Sequence, residues 1–451
     1  MNLSKSKSIS RYRITPITFE CGKKSTFTVE ALGKGVRHDP IFSKMVGKNV
    51  GFLDELSYQV KIIPMEAYEG TYVEDNVEVF TETVHPCGGV ITVSYTFPDE
   101  QEWVVSVKPL DESEKMRKPI EFRVYSLSSD LYVRNPYRGD LHVHSIGSDG
   151  GEEPAVVAAN YRKWGYDFMA LTDHRTYTPS EEMVEAYRDV PLDIALYKGE
   201  EVHPRGNIHV VHFGGKYSIN ELYRSNAEGY HKALVREAEN ISVPNGVDAL
   251  EYCYRKWIYE EIKKACGMCV AVHPFWVHSP GIYNMNTKML EYVFRTGIFD
   301  LFELTGGQSV HENNVQTAFW QEMRAQGVKI PIVGSSDSHG TDPASYFGIS
   351  KTVLFATDTD FDSVCSAIKD GYSVAVEEPY GEEARVYGPY RLVKYVRFLL
   401  DRYFPAHDEL CVEEGRLMRE YALGDSEAGV ALSALHGRVA RYTERVLRGK
   451  K

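Results

Sequence analysis

The chain has 451 residues, 43% of them hydrophobic and 25% charged, with 51 Lys and Arg against 64 Asp and Glu. That is globular composition with material for about three domains. A net charge of −13 argues against non-specific nucleic-acid binding, although cations bound locally can reverse the field that a small anionic substrate meets.

The first stretch, MNLSKSKSISRYRIT, has basic residues but no apolar core behind them, so it does not read as a secretory signal. From about 15 to 133 the chain reads as short strands, among them Val90–Tyr95, Trp103–Val107 and Glu121–Leu127, separated by Pro and Gly turn signals. No helical period interrupts them, which predicts an accessory antiparallel β-sandwich over residues 1–133.

Between 134 and 376 short apolar runs alternate with helix-length amphipathic stretches. The runs are Leu141–His144, Asp167–Thr172, Asp193–Glu201, Ile208–Phe213, Met268–His273, Asp300–Leu304 and Ile330–Gly334. The helical stretches include Glu153–Trp164, Ser180–Arg188, Leu250–Lys264 and Glu312–Gln326. This alternation predicts an α/β segment with a parallel sheet, open or closed, and helices outside it. Residues 377–451 carry helical periodicity with Arg and Glu interleaved, and predict a helical appendage.

No apolar run reaches the ~18–20 residues that a membrane span needs. The seven cysteines are odd in number and scattered, which suits reduced thiols in a cytoplasmic protein. Cys266 and Cys269 form a lone C-x-x-C and read as buried thiols entering a strand rather than as a metal or redox site.

Nearly every central run ends in a residue type that binds metals. The first ends in His142-Val143-His144, with Asp149 following, and the second in Asp173-His174. Next come Glu200-Glu201, then His209 and His212, then His273, Glu303, and finally Asp337-Ser338-His339. In a parallel barrel the C-terminal strand ends open on one face, where such residues converge. Positions i and i+2 project to one side of a strand, so His142 and His144 can grip one ion, as can Asp337 and His339. A single H-x-H is a weak signal, whereas repetition over six of seven runs predicts a metal site. Imidazole with carboxylate and no thiolate suits Zn, Mn or Fe. The number of donors exceeds the needs of one ion and predicts two or three divalent ions sharing a bridging carboxylate.

The motifs GDLHVHSIGSDG, ALTDHR, GEEVH, AVHPFW and GSSDSHG, in that order over about residues 136–376, resemble those of the polymerase and histidinol phosphatase (PHP) family of metal-dependent hydrolases. Within it, Tyr137-Arg138-Gly139-Asp140 after a β-rich segment resembles the carbaryl-hydrolase-like branch. The resemblance implies a distorted seven-stranded (β/α) barrel and usually three metal ions. It implies His142, His144 and Asp337 on a first ion, and Asp149, His174 and His339 on a second. Glu201 would bridge the first and third ions, and His209 and His273 would complete the third. Family spacing favours His209 over His212 and Glu201 over Glu200. Glu201, Asp337 and His339 are expected to be catalytic as well as ligating.

Asp140 and Asp173 adjoin ligands and are expected either to orient imidazoles or to cap strand ends. Glu303 sits where a carboxylate is frequent in the family without always being a ligand. Arg175, Arg205, His278 and His311 are candidates for holding a substrate oxyanion, and Trp276 for a pocket wall.

The expected activity is hydrolysis of a small phosphomonoester or nucleotide by a metal-bound hydroxide at a di- or trinuclear site. Two alternatives are hydrolysis of esters, carbamates or amides of small apolar compounds, and a non-catalytic metal-holding binding module. The expected partner is a small anionic molecule, with neither a membrane nor nucleic acid beyond short nucleotides. The flanking segments leave room for a homo-oligomer.

Overall fold

The computed structural model describes residues 12–32, 51–66, 79–110, 119–278, 281–342 and 345–450. Lys5, Lys7 and Arg11 of the N-terminal stretch lie outside the described residues, as do parts of the expected β-sandwich. The chain forms two compact units, one comprising Met1–Arg134, Arg397–Pro405 and Ala440–Lys451, the other Asn135–Val396 and Ala406–Val439. Stretches of the C-terminal helical segment thus belong to both. No helix among the described residues is long and apolar enough to cross a membrane.

The first unit holds β1 (Tyr12–Thr15), β2 (Thr18–Glu20), β3 (Lys24–Ala31), β4 (Tyr58–Pro64), β5 (Phe80–Val84), β6 (Val90–Thr96), β7 (Glu102–Pro109) and β8 (Ile120–Leu127). They form a three-stranded sheet, β1-β3-β6, and a five-stranded sheet, β2-β8-β7-β4-β5. The pairing is antiparallel except between β2 and β8. Alternation in WVVSV buries Trp103, Val105 and Val107 on one face, as a half-covered strand requires. Phe19 of one sheet meets Phe27 of the other at 5.7 Å and stacks on Phe97 at 4.4 Å.

The second unit continues with β9 (Asn135–Asp140), β10 (Phe168–Leu171), β11 (Ala195–Val202), β12 (Val210–Phe213) and β13 (Met268–Ala271). A hairpin follows, β14 (Val277–His278) with β15 (Ile282–Tyr283), then β16 (Leu301–Thr305), β17 (Ile332–Gly334), β18 (Ser350–Ala356), β19 (Ser373–Glu377) and β20 (Arg385–Tyr387). Ten of them make one sheet in the order β17-β16-β13-β12-β11-β10-β9-β18-β19-β20.

The sheet is mixed rather than parallel throughout. β12 runs antiparallel to both β11 and β13, and β18 antiparallel to β9. Only residues 203–209 connect β11 to β12, too few for the crossover of a dozen or more that parallel neighbours need.

The sheet curls, so that β17 faces β18 and β19. Hydroxyls stitch this seam: Thr352 Oγ1 donates to Gly334 O (2.8 Å) and Ser373 Oγ to Ile332 O (2.8 Å). Beyond β17 and β9 the backbones meet directly, with Asp337 N donating to His142 O and His144 N to Ser338 O, both at 2.9 Å. One side-chain set, including Phe168, Ala170, Val211, Phe213, Met268, Val270, Leu301, Val333 and Leu354, forms a single buried cluster. The alternate residues Met169 and Leu171 pack instead with Val157, Ala158 and Tyr161 of the helix Pro154–Lys163. Both strand faces are therefore covered, which is why these runs are almost continuously apolar. Cys269 is buried within β13, whereas Cys266 precedes it, exposed and at φ 64°.

Candidate metal centre

The imidazoles and carboxylates collect at one rim of the curled sheet. β9, β10, β13 and β17 run toward it, so His142, His174, His273 and Asp337 lie just past their ends. β12 runs the other way, which brings its start to the rim and places His209 there. His212, further along β12, pairs in register with Glu200, their side chains 3.4 Å apart. His209 and Glu201 therefore face the cluster, and His212 and Glu200 form a separate buried pair.

All nine expected ligands come together. His142 Nε2 and His144 Nε2 lie 3.2 and 3.0 Å from Asp337 Oδ1. Asp149 reaches His174 Nε2 at 3.5 Å and His339 Nε2 at 3.3 Å, and the His144 ring lies 4.3 Å from those of both His174 and His339. Glu201 stands in the middle. Its Oε2 is 2.7 Å from His174 Nδ1 and 3.4 Å from His142 Nε2, and its Oε1 is 2.7 Å from His209 Nδ1 and 3.3 Å from His273 Nε2.

Sequence reasoning missed one member, His203, whose Nε2 is 3.3 Å from Glu201 Oε1. The signal was available, because Glu201-Val202-His203 repeats the i, i+2 spacing that pairs His142 with His144.

Of the two tasks expected of Asp140 and Asp173, the structure shows strand-end capping. Asp140 accepts from His142 N (3.2 Å), Ser336 N (3.0 Å) and Tyr161 OH (3.1 Å), and so ties the two ligand-bearing backbones to each other. Asp173 accepts from Ser145 N (2.9 Å), Ser145 Oγ (2.7 Å) and Ser148 Oγ (2.6 Å), fixing the turn that presents Asp149. Neither orients an imidazole through the bonds described. That task falls to Glu303, whose Oε2 is 2.9 Å from His142 Nδ1. The turn also needs Gly150, where a Cβ would stand 2.7 Å from the His144 backbone. Asp337 (φ 51°) and His273 (φ 27°) hold left-handed backbone conformations, a strain that concentrates at functional sites.

The electrostatics suit a cation. Burial raises the Asp337 carboxyl, but His142 and His144 outweigh it and hold the group well below the usual range. The hydrogen bond from His339 does the same for Asp149. Burial disfavours charge on His339, yet Asp149 and Asp337 push it up to about 9. Burial pushes His209 down to about 4 and Asp140 up to about 7. His142 Nε2 and Glu201 Oε2 are buried without a well-aligned hydrogen bond. A cation between them would satisfy both, so the donor set fits divalent metal.

The candidate oxyanion holders lie apart from this cluster. Arg175 is exposed, with its backbone N donating to Glu201 O at 3.0 Å. Arg205 lines a cleft of about 260 Å³ with Asn207, Glu251, Tyr254 and Asn284, and Asn207 Nδ2 lies 3.0 Å from His278 Nε2. His311 is exposed on the helix Val310–Ala325. Trp276, 37% exposed, contacts the rings of both His209 (5.7 Å) and His273 (5.8 Å) and stands at the edge of the site.

No family model matches the chain. Over 83 residues it is 39% identical to the DNA polymerase/3'-5' exonuclease PolX of Bacillus subtilis, a match spanning 18% of this chain and 15% of that protein. Among solved structures it is similar to a two-domain protein of Bacteroides vulgatus containing a predicted PHP-like metal-dependent phosphoesterase. That pair is 18% identical, with a TM-score of 0.40, over 55% of this chain and 66% of the other. It is also similar to a protein of Bifidobacterium adolescentis described as a metal-dependent phosphoesterase, 19% identical with a TM-score of 0.35, over 51% and 94% of the two chains. The match to PolX thus covers a small part of either chain, while the nine residues marked by the motifs meet at one rim.

Proposed function

We propose that the protein is a metal-dependent hydrolase that cleaves a small phosphomonoester or nucleotide. The observation that carries this reading is the meeting of His142, His144, His174, His209, His273 and His339 with Asp149, Glu201 and Asp337. Two or three Zn, Mn or Fe ions held there would supply Lewis acidity and a hydrolytic nucleophile at neutral pH.

The chain's own residues then have distinct tasks. Asp337 and Glu201 stay ionised in a buried site and orient the imidazoles around them. Glu303 fixes the His142 ring so that Nε2 faces inward. Arg205 lines the cleft and His278 lies beside it, apart from the imidazoles, so they would hold a part of the substrate remote from the scissile phosphoester. In this reading the curled, mixed ten-stranded sheet does the work of the seven-stranded barrel that the resemblance implied, the N-terminal unit is an accessory β-sandwich, and the protein works in the cytoplasm.

The test is a phosphoester panel, p-nitrophenyl phosphate and mononucleotides, with added Mn or Zn against chelator. Metal-dependent release of phosphate is expected, and its absence from every substrate would overturn the reading. A second reading, hydrolysis of esters or carbamates of small apolar compounds, draws on Trp276 and on Val277, Ile282 and Tyr283, all exposed in or beside the hairpin β14–β15. Faster turnover of a naphthyl ester than of any phosphoester would favour it.

A further inference from the structure

His203 follows β11 directly, and its side chain is only 6% exposed. Its backbone is fixed: His203 N donates to Asn220 Oδ1 (3.0 Å), and Asn220 Nδ2 donates to Glu200 Oε2 (2.9 Å) and Glu201 O (3.1 Å). Glu200 in turn accepts from Ser218 Oγ at 2.7 Å. The buried Glu200 therefore braces the loop that aims His203 inward.

There the imidazole meets a crowd. Its Nε2 lies 3.3 Å from Glu201 Oε1 and 3.1 Å from His174 Nδ1, and its ring is 3.8 Å from that of His209. Three ring nitrogens, of His203, His209 and His273, thus surround one oxygen, Glu201 Oε1, at 3.3, 2.7 and 3.3 Å. A carboxylate oxygen offers two lone pairs, so it cannot accept well-formed hydrogen bonds from three donors. A cation among the four would take a lone pair from each, and the crowding would then be coordination.

We propose that His203 is a metal ligand on the Oε1 side of Glu201, where His174, His209 and His273 are the other imidazoles within reach. Imidazoles around one carboxylate would make a zinc-type set. This ion differs in kind from those near Asp337 and Asp149, being the one that holds the rim together and the slowest to leave. The inference rests on the cluster being a metal centre, as proposed above.

The test counts ions rather than turnover. Full-length protein is loaded with zinc, dialysed against a graded chelator series, and assayed for zinc per chain. Wild type is expected to retain one ion after the others have gone. His203→Ala should lose that ion at a chelator concentration at least 100-fold lower, and His203→Asp, which restores a donor, should recover much of the difference. Equal retention in wild type and His203→Ala overturns the role of His203 and leaves the metal centre standing. A wild type that takes up no metal overturns both. Because His203→Ala could misfold, cobalt-loaded wild type gives an independent reading: strong visible bands of a tetrahedral ion are expected, and only the weak bands of six-coordinate cobalt would overturn the inference.

Discussion

His144 Nε2 and Asp337 Oδ1 lie 3.0 Å apart across 193 positions of sequence. Two backbone hydrogen bonds between their strand extensions hold the pair in register, and Asp337 accepts a left-handed φ of 51° to aim its carboxylate. Because His142 Nε2 is 3.2 Å from the same oxygen, Asp337 joins the first and last ligand-bearing segments. Asp337→Asn keeps the shape and removes the charge. It should lose one bound ion and lower metal-dependent hydrolysis at least about 100-fold, more than loss of a supporting residue costs, with an unchanged circular dichroism spectrum. Full activity in this variant would remove Asp337 from the site.

Glu303 tests the layer behind the ligands. It is fully buried, and burial raises its carboxyl, with His142 acting in the opposite direction. Its bond to His142 Nδ1 selects the tautomer that leaves Nε2 free to ligate. Glu303→Gln keeps a polar partner but weakens that selection, and should cost about 10–100-fold in metal affinity. Calorimetric titration of zinc into the two proteins measures it, and identical affinities would show that Glu303 serves only packing.

The candidate donors were legible because most of them end apolar runs, whereas the choice of Glu201 over Glu200 and of His209 over His212 came from family spacing. Strand direction was not legible, since apolar runs read alike in both directions. Only the seven-residue span from His203 to His209 could have revealed that β12 is antiparallel, and that reversal is what chooses His209 over His212. His203 escaped notice because it lies past the acidic residue taken as the end of its run. Glu303 was visible as a strand-end carboxylate, but its contact with His142 spans 161 positions and depends on how the sheet curls.

Proton binding and metal binding compete at this rim. His339 titrates at about 9, above its ordinary value, because Asp149 and Asp337 favour the imidazolium despite burial. In metal-free protein this contribution to stability is fully present below pH 6.5 and is lost as pH rises through about 9. Metal needs the neutral ring, so affinity should move the other way and strengthen as pH rises from 6.5 to 9. Urea midpoints with chelator should therefore fall over that interval, and midpoints with saturating zinc should not. His339→Asn should flatten the metal-free profile; an unchanged slope would assign the titration to another group.

The last prediction concerns the support beneath the rim. Arg162, fully buried on the helix Pro154–Lys163, donates to Glu414 Oε2 (2.6 Å), Asp167 Oδ1 (3.1 Å) and Tyr166 O (3.0 Å). Asp167 also meets His407 Nε2 at 2.9 Å, and both His407 and Glu414 come from the helix Phe404–Ala422. The two helices approach so closely at Gly415 that a Cβ there would stand 2.2 Å from Lys163 N. Arg162→Met would leave Asp167 with His407 as its only basic partner among the contacts described, and Glu414 with none. The expected loss is about 3–5 kcal/mol in chelator-treated protein, since removing one partner strands a buried charge. Adding Glu414→Gln to that variant should restore part of the loss, because the amide needs no counter-ion. Urea unfolding of wild type, the single variant and the double variant reads all three, and a single-variant loss below about 1 kcal/mol would mean that water reaches the network and screens it as it does a surface pair.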